Sequence, residues 1–158
     1  MRNKRFIAEH RGGSLNKKQH SQLIKWACEC AENVLQLLGE ESDVRLINAL
    51  LIAKKWAKGE ATVGDAMKAS MNAHAVARES SNPISIAVAR SAGHAVATAH
   101  MADHSIGAAL YALKASKYAD KSIDEERKWQ YKQLEQLPLE IADLILYTLI
   151  MKEKSFKI

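Results

Sequence analysis

The chain has 158 residues, of which 47% are apolar and 26% are charged. This length fits one domain with a hydrophobic core, and the composition excludes a disordered chain. The net charge of +5 comes from the first twenty residues, where one acid, Glu9, faces six cations: Arg2, Lys4, Arg5, Arg11, Lys17 and Lys18. The rest of the chain is neutral in total, which argues against nucleic acid as a partner of the folded body.

The start of the chain is polar and contains the pair Gly12 and Gly13. We therefore predict a basic, flexible tail over residues 1–14 and a single helical domain over residues 15–158. The basic residues of the tail offer one alternative function, a salt-sensitive contact with nucleic acid phosphates.

The sequence predicts a cytoplasmic protein. No apolar core follows Met1–Phe6, so we expect no signal peptide. The longest apolar stretch, Leu137–Met151, contains two acids and is too short to span a membrane. Cys28 and Cys30 point to different sides of a helix, so they fit two buried thiols in a reducing compartment.

Apolar residues recur three and four positions apart along the whole chain, and alanine is abundant. This pattern predicts an all-α fold, a compact bundle of six or seven helices with short turns. Capping residues, glycines and prolines indicate the bounds. The predicted helices run from Ser14 or Asn16 to Leu38, from Ser42 or Asp43 to Gly59, from Thr62 to Glu79, from Pro83 to Met101, from Asp103 to Ala119, from Ser122 to Leu137, and from Pro138 to Lys152.

Three features of this bundle have more than one interpretation. Residues 103–105 break a helix, or one helix continues through them. The last helix is apolar around most of its circumference, so it lies at the centre of the bundle or forms a homodimer interface. Gly64, Gly93 and Gly107 lie inside predicted helices, where close packing of helix axes would explain them.

The histidines raise the question of a metal site. His100 and His104 are four residues apart, so they would share one face of a continuous helix. With His94 or His74 as a third ligand, they would make a metal-binding protein or a metal-dependent hydrolase. Zinc needs three or four ligands, and the H-E-x-x-H pattern is absent. We therefore predict no metal and no cofactor, and keep this function as the alternative.

The chain shows no pattern of catalytic residues. Ser91 and Ser105 lie near histidines in sequence, but no strand-turn-helix elbow surrounds them. The sequence therefore predicts a protein that is not an enzyme.

Several residues are typical of a protein-binding surface. His74 and Arg78 are four residues apart, as are Arg90 and His94, so each pair could meet acidic groups. Trp129 would be an anchor for a protein partner if it is exposed.

The segment Ala92–Ala115, "AGHAVATAHMADHSIGAALYALKA", resembles the signature of the Imm5-like family of immunity proteins, which are all-α domains. Four further pieces occur in the order of the family: "WACECAENVL", "ALLIAKKWAKGEATVGDAMKAS", "AHAVAR" and "ERKWQYKQLEQLP". Together they cover Trp26–Pro138.

The resemblance implies a protein that binds and neutralises a bacterial toxin domain without catalysis. Gly93, which matches the motif, looks structural. The residues that match the motif and are candidates for partner binding are His74, His94, His100, His104 and Tyr111; from the residue pattern, Arg78, Arg90 and Trp129 join them.

Overall fold

The computed structural model describes residues 3–158, which form seven α-helices and no strand. The predicted all-α bundle is therefore confirmed for this part of the chain. The helices are α1 (Lys17–Leu35), α2 (Val44–Ala57), α3 (Val63–Glu79), α4 (Pro83–Ala97), α5 (His104–Tyr118), α6 (Ile123–Gln133) and α7 (Leu139–Phe156).

The helices begin where the sequence places capping residues. The side chain of Asn16 accepts a hydrogen bond from the Gln19 backbone N–H (2.8 Å), and the Gln19 side-chain oxygen accepts one from the Asn16 backbone N–H (3.0 Å). Thr62 and Asp65 form the same reciprocal pair at α3. Each capping box satisfies two N–H groups that a helix start would leave without an acceptor.

Helices α4 and α5 form the centre of the bundle. α1 packs across α2, α4 and α5, while α3 lies between α2 and α4. α6 and α7 pack on α5. The core residues of α4 and α5 are mostly alanines, including Ala89, Ala95, Ala108 and Ala112, each fully buried.

The chain breaks between α4 and α5. α4 ends at Ala97, four residues earlier than predicted, and α5 starts at His104. The carbonyl of Thr98, at the end of α4, accepts a hydrogen bond from His20 Nε2 at 2.6 Å. The break excludes the alternative of one unbroken helix.

The start of the chain packs on the bundle. Phe6 and Leu15 are 5% and 2% exposed, and Lys4–Phe6 and Glu9–Arg11 form two short 3-10 turns. The backbone N–H of Leu15 donates to the Ile7 carbonyl (3.0 Å). Burial of Phe6 favours this packing, and the flexibility expected for residues 3–14 of the predicted tail stays a prediction. Residues 1 and 2 of that tail lie outside the described residues.

Helix α7 lies at the edge of the bundle. Ile145 and Leu149 are buried, but Leu139 and Tyr147 are 74% and 62% exposed. Of the two interpretations of this helix, a position at the centre of the bundle is therefore wrong. An apolar pattern around a helix does not reveal how many neighbours cover it.

Two polar groups of the core are bound to backbone. Gln130, fully buried, donates from Nε2 to the Ala109 carbonyl (3.0 Å), and Trp26 Nε1 donates to the Gln130 carbonyl (3.1 Å). They tie α6 to α5 and α1. Cys28 and Cys30 are buried free thiols, as predicted, and burial raises the pKa of Cys28 to about 12.

None of the helices within residues 3–158 has the length and apolar character needed to cross a lipid bilayer.

Candidate functional site

Five of the predicted site residues come together where α3, α4 and α5 lie side by side. His74 belongs to α3, Arg90 and His94 to α4, and His104 and Tyr111 to α5. We call these five residues the histidine–arginine cluster. All five are partly buried, so the cluster lies at the surface of the bundle and not in its core.

Hydrogen bonds link the cluster across the helices. Arg90 Nη1 donates to His74 Nδ1 at 2.8 Å. Because a guanidinium can only donate, the neutral His74 carries its proton on Nε2. The Nδ1 atoms of His94 and His104 are 3.0 Å apart, so one of them donates and the other accepts.

Ring contacts continue the cluster towards α7. His94 stacks on Tyr111 with centroids 5.3 Å apart and an angle of 13° between the planes. The Tyr111 ring meets Phe156 of α7 edge to face at 4.8 Å. Lys114 Nζ lies 4.9 Å from the Phe156 centroid, within range of a cation–π contact.

Two glycines make room for the histidine rings. A Cβ on Gly93 would lie 2.7 Å from Cε1 and Nε2 of His74. A Cβ on Gly107 would lie 2.9 Å from Cγ and Nδ1 of His94. The sequence suggested close helix axes as the reason for these glycines, but the groups that come close are imidazole rings. Gly64 has a different environment, since its Cβ would meet only Thr62 Oγ1, at 3.6 Å.

A Gly93→Ala variant is expected to lower the free energy of unfolding by about 1 kcal/mol. Overpacking costs about 1–3 kcal/mol, and the helix propensity of alanine returns about 1 kcal/mol. Urea denaturation checks the result, with Gly64→Ala as the control. Because Gly64 has space for a Cβ, that variant should be no less stable than the wild type. Equal stability of the two variants would mean that the His74 ring is not fixed.

Burial keeps two of the imidazoles neutral. Burial, with the nearby Arg90 as the next cause, lowers the pKa of His74 to about 4. Burial, with His104 as the next cause, lowers the pKa of His94 to about 3. At neutral pH these rings therefore contribute hydrogen bonds and stacking, and Arg90 contributes the charge.

Arg90 has no acidic partner within residues 3–158. Other arginines do: Arg45 binds Asp43 and Glu79, and Arg127 binds Asp124 and Glu153. A partly buried guanidinium with free N–H groups is suited to hold a carboxylate or another oxyanion.

The remaining predicted residues lie around or outside this cluster. Arg78 is exposed on α3, one turn after His74, and its charge acts on that ring. His100 lines a cavity beside the N-terminal segment, and Trp129 lines a separate cleft between α1 and α6. The structure therefore does not place His100 or Trp129 with the other candidates.

Sequence reasoning missed Lys114, Gly107 and Phe156 as parts of this surface. Lys114 follows Tyr111 by three residues on α5, so helical spacing could have indicated it. No local signal connects Phe156 with Tyr111, because the contact depends on how α7 packs.

The metal alternative depends on His100 and His104 sharing a helix. They do not, because His100 lies between α4 and α5. Within residues 3–158, no group of three or more His, Cys, Asp or Glu side chains is arranged to hold a metal ion. The two serines considered as nucleophiles are buried, and their hydroxyls donate to backbone carbonyls: Ser91 to Ala108 at 2.8 Å and Ser105 to Ala102 at 2.7 Å.

The geometry defines a helical bundle whose surface carries a cationic and aromatic cluster suited to binding acidic groups. The family described as "Imm-5 like putative immunity protein" matches residues 13–137. The chain therefore belongs to the Imm5-like family, as the sequence motifs predicted. No curated protein and no solved structure shows significant similarity to the chain.

Proposed function

We propose that this protein is a cytoplasmic immunity protein that binds a toxin domain and blocks it without catalysis. Membership of the Imm5-like family supports a role in immunity. The observation that carries the proposed binding site is Arg90, a partly buried cation without an acidic partner in residues 3–158.

The proposed contact is a salt bridge between Arg90 and a carboxylate of the toxin. Arg90 uses Nη1 for His74. Its other N–H groups are then available for a two-point contact with a carboxylate. His74 holds the guanidinium in one orientation, so less side-chain entropy is lost when the toxin binds.

Aromatic and basic side chains that contact the histidine–arginine cluster extend the proposed surface. Tyr111 and Phe156 supply rigid rings, which often anchor protein interfaces. Arg78 and Lys114 add positive charge, which speeds the encounter with an acidic surface. The expected partner is therefore a toxin domain with an acidic surface around its active site.

The proposal predicts that a toxin domain is encoded beside this protein, and co-expression of the two tests it. Cells that make the toxin alone should stop growing, and cells that also make this protein should grow normally. The two proteins should co-purify as a stoichiometric complex. Growth arrest in the presence of the folded protein, with no complex, would refute the proposed function.

A homodimer through α7 remains a separate prediction. Exposed apolar residues of α7, Tyr147, Ile150 and Met151, are available for it. Sedimentation equilibrium tests this prediction. The wild type should be a dimer, and Tyr147→Glu should be a monomer.

A further inference from the structure

A second surface feature, separate from the histidine–arginine cluster, is a cavity of about 710 Å³ beneath the N-terminal segment. Residues 6–11 form one wall, and the start of α1, Trp56 of α2 and the α4–α5 connection form the others. Phe6, Leu15 and Ala99 give it an apolar floor. Its size lies in the range of small-molecule sites.

One side of the cavity offers a hydrogen-bond acceptor. His20, which is 7% exposed, donates from Nε2 to the Thr98 carbonyl at 2.6 Å. A carbonyl only accepts, so the proton is on Nε2 and Nδ1 carries a lone pair. No residue from 3 to 158 donates to that Nδ1. Trp56 fixes the ring further by an edge contact at 4.7 Å.

The cavity also offers a hydrogen-bond donor. His100 Nδ1 is buried and has no partner within residues 3–158, so Nε2 is the nitrogen that can reach the cavity. Neither tautomer gives Nδ1 a partner among the described residues, so that nitrogen is unsatisfied in both. A ligand oxygen at Nε2 selects the tautomer with the proton on Nε2, which then presents an N–H group.

The charge at the entrance favours an anion. Arg11 and Lys17 line the cavity, and neither has an acidic partner among the described residues. Glu9 is the single acid among the residues that line it, so the cavity has a surplus of positive charge.

We propose that this cavity binds a small aromatic carboxylate that carries a hydroxyl group. The hydroxyl donates to His20 Nδ1, and the ring packs between Trp56 and the apolar floor. The carboxylate accepts from His100 Nε2 and pairs with Arg11 and Lys17. This ligand uses the lone pair, the N–H group and the surplus charge together, which an apolar molecule would not.

Calorimetric titration of the full chain with three probes tests the proposal. 4-Hydroxyphenylacetate should bind saturably with one site per chain. 4-Hydroxyphenylethanol, which lacks the carboxylate, and phenylacetate, which lacks the hydroxyl, should each bind at least about tenfold more weakly, since one hydrogen bond to a charged or buried group is lost.

Variants of exposed arginines provide the control. Arg11→Ala should weaken 4-hydroxyphenylacetate at least about fivefold and leave 4-hydroxyphenylethanol unchanged, because only the acid uses the charge. Arg5→Ala, a change on the same segment outside the cavity, should bind all three probes like the wild type. Absence of saturable binding by any probe, or equal affinity of the wild type and Arg11→Ala for the acid, would overturn the proposal.

Discussion

An Arg90→Ala variant is expected to bind the toxin domain at least about tenfold more weakly and to lose protection of growth. Hydrogen bonds to charged groups contribute about 1.5–3 kcal/mol, and about 1.4 kcal/mol corresponds to tenfold in affinity. The loss is larger if the carboxylate of the toxin is left buried without a partner. Calorimetry or surface plasmon resonance with the purified toxin domain measures the affinity, and growth measures protection.

Two further variants separate charge from geometry. Arg90→Lys keeps the charge but loses the two-point contact, so its affinity should lie between those of the wild type and Arg90→Ala. Arg5→Ala removes an exposed arginine outside the cluster and should bind like the wild type. Circular dichroism establishes that all three are folded. If folded Arg90→Ala binds the toxin as tightly as the wild type, the toxin contacts another surface.

The helices could be predicted well because their signals are local. Capping residues such as Asn16, Thr62 and Asn82 act on N–H groups two or three positions away in the sequence. Both partners of each capping contact therefore lie within the same short stretch of sequence. The end of α4 was harder to place, because no glycine or proline occurs between Ala97 and Asp103 to mark it.

Contacts between distant parts of the chain could not be predicted from the sequence. Phe6 is followed by a polar, glycine-containing segment that looks like a tail, and only the folded bundle provides the site that buries it. Helix α7 has the composition of a central helix, yet Leu139 and Tyr147 face solvent because no other helix within residues 3–158 covers them. Local sequence patterns identify the apolar faces of helices, but they do not show which parts of the protein pack on those faces.

In the candidate site, too, features along one helix could be predicted, and contacts between helices could not. The sequence proposed eight residues, and five of them meet: His74, Arg90, His94, His104 and Tyr111. Arg90 and His94 are one turn apart on α4, so their shared face was predictable. The hydrogen bond from Arg90 to His74 of α3 was not, because it depends on how the two helices pack.

The second large effect that we expect is a loss of stability in mild acid. The folded protein holds the pKa of His74 at about 4 and that of His94 at about 3, against an ordinary value of 6.5. The unfolded chain therefore takes up protons at these histidines as the pH falls through 6.5, while the folded protein does not. The contribution of these pKa differences to the free energy of unfolding is fully present above pH 6.5 and declines as the pH falls below that value.

Between pH 7.5 and pH 5 we expect the free energy of unfolding to fall by about 2 kcal/mol for the two histidines together, a value reduced for their partial exposure. Urea denaturation at both pH values measures the change. A double variant, His74→Gln with His94→Gln, cannot take up these protons, so its stability should vary less with pH by that amount. The burial that lowers the pKa of His20 acts in the same direction in both proteins and cancels in the comparison. An unchanged pH dependence in the variant would mean that the rings accept protons in the folded state, and that Arg90 is not the dominant charge of the cluster.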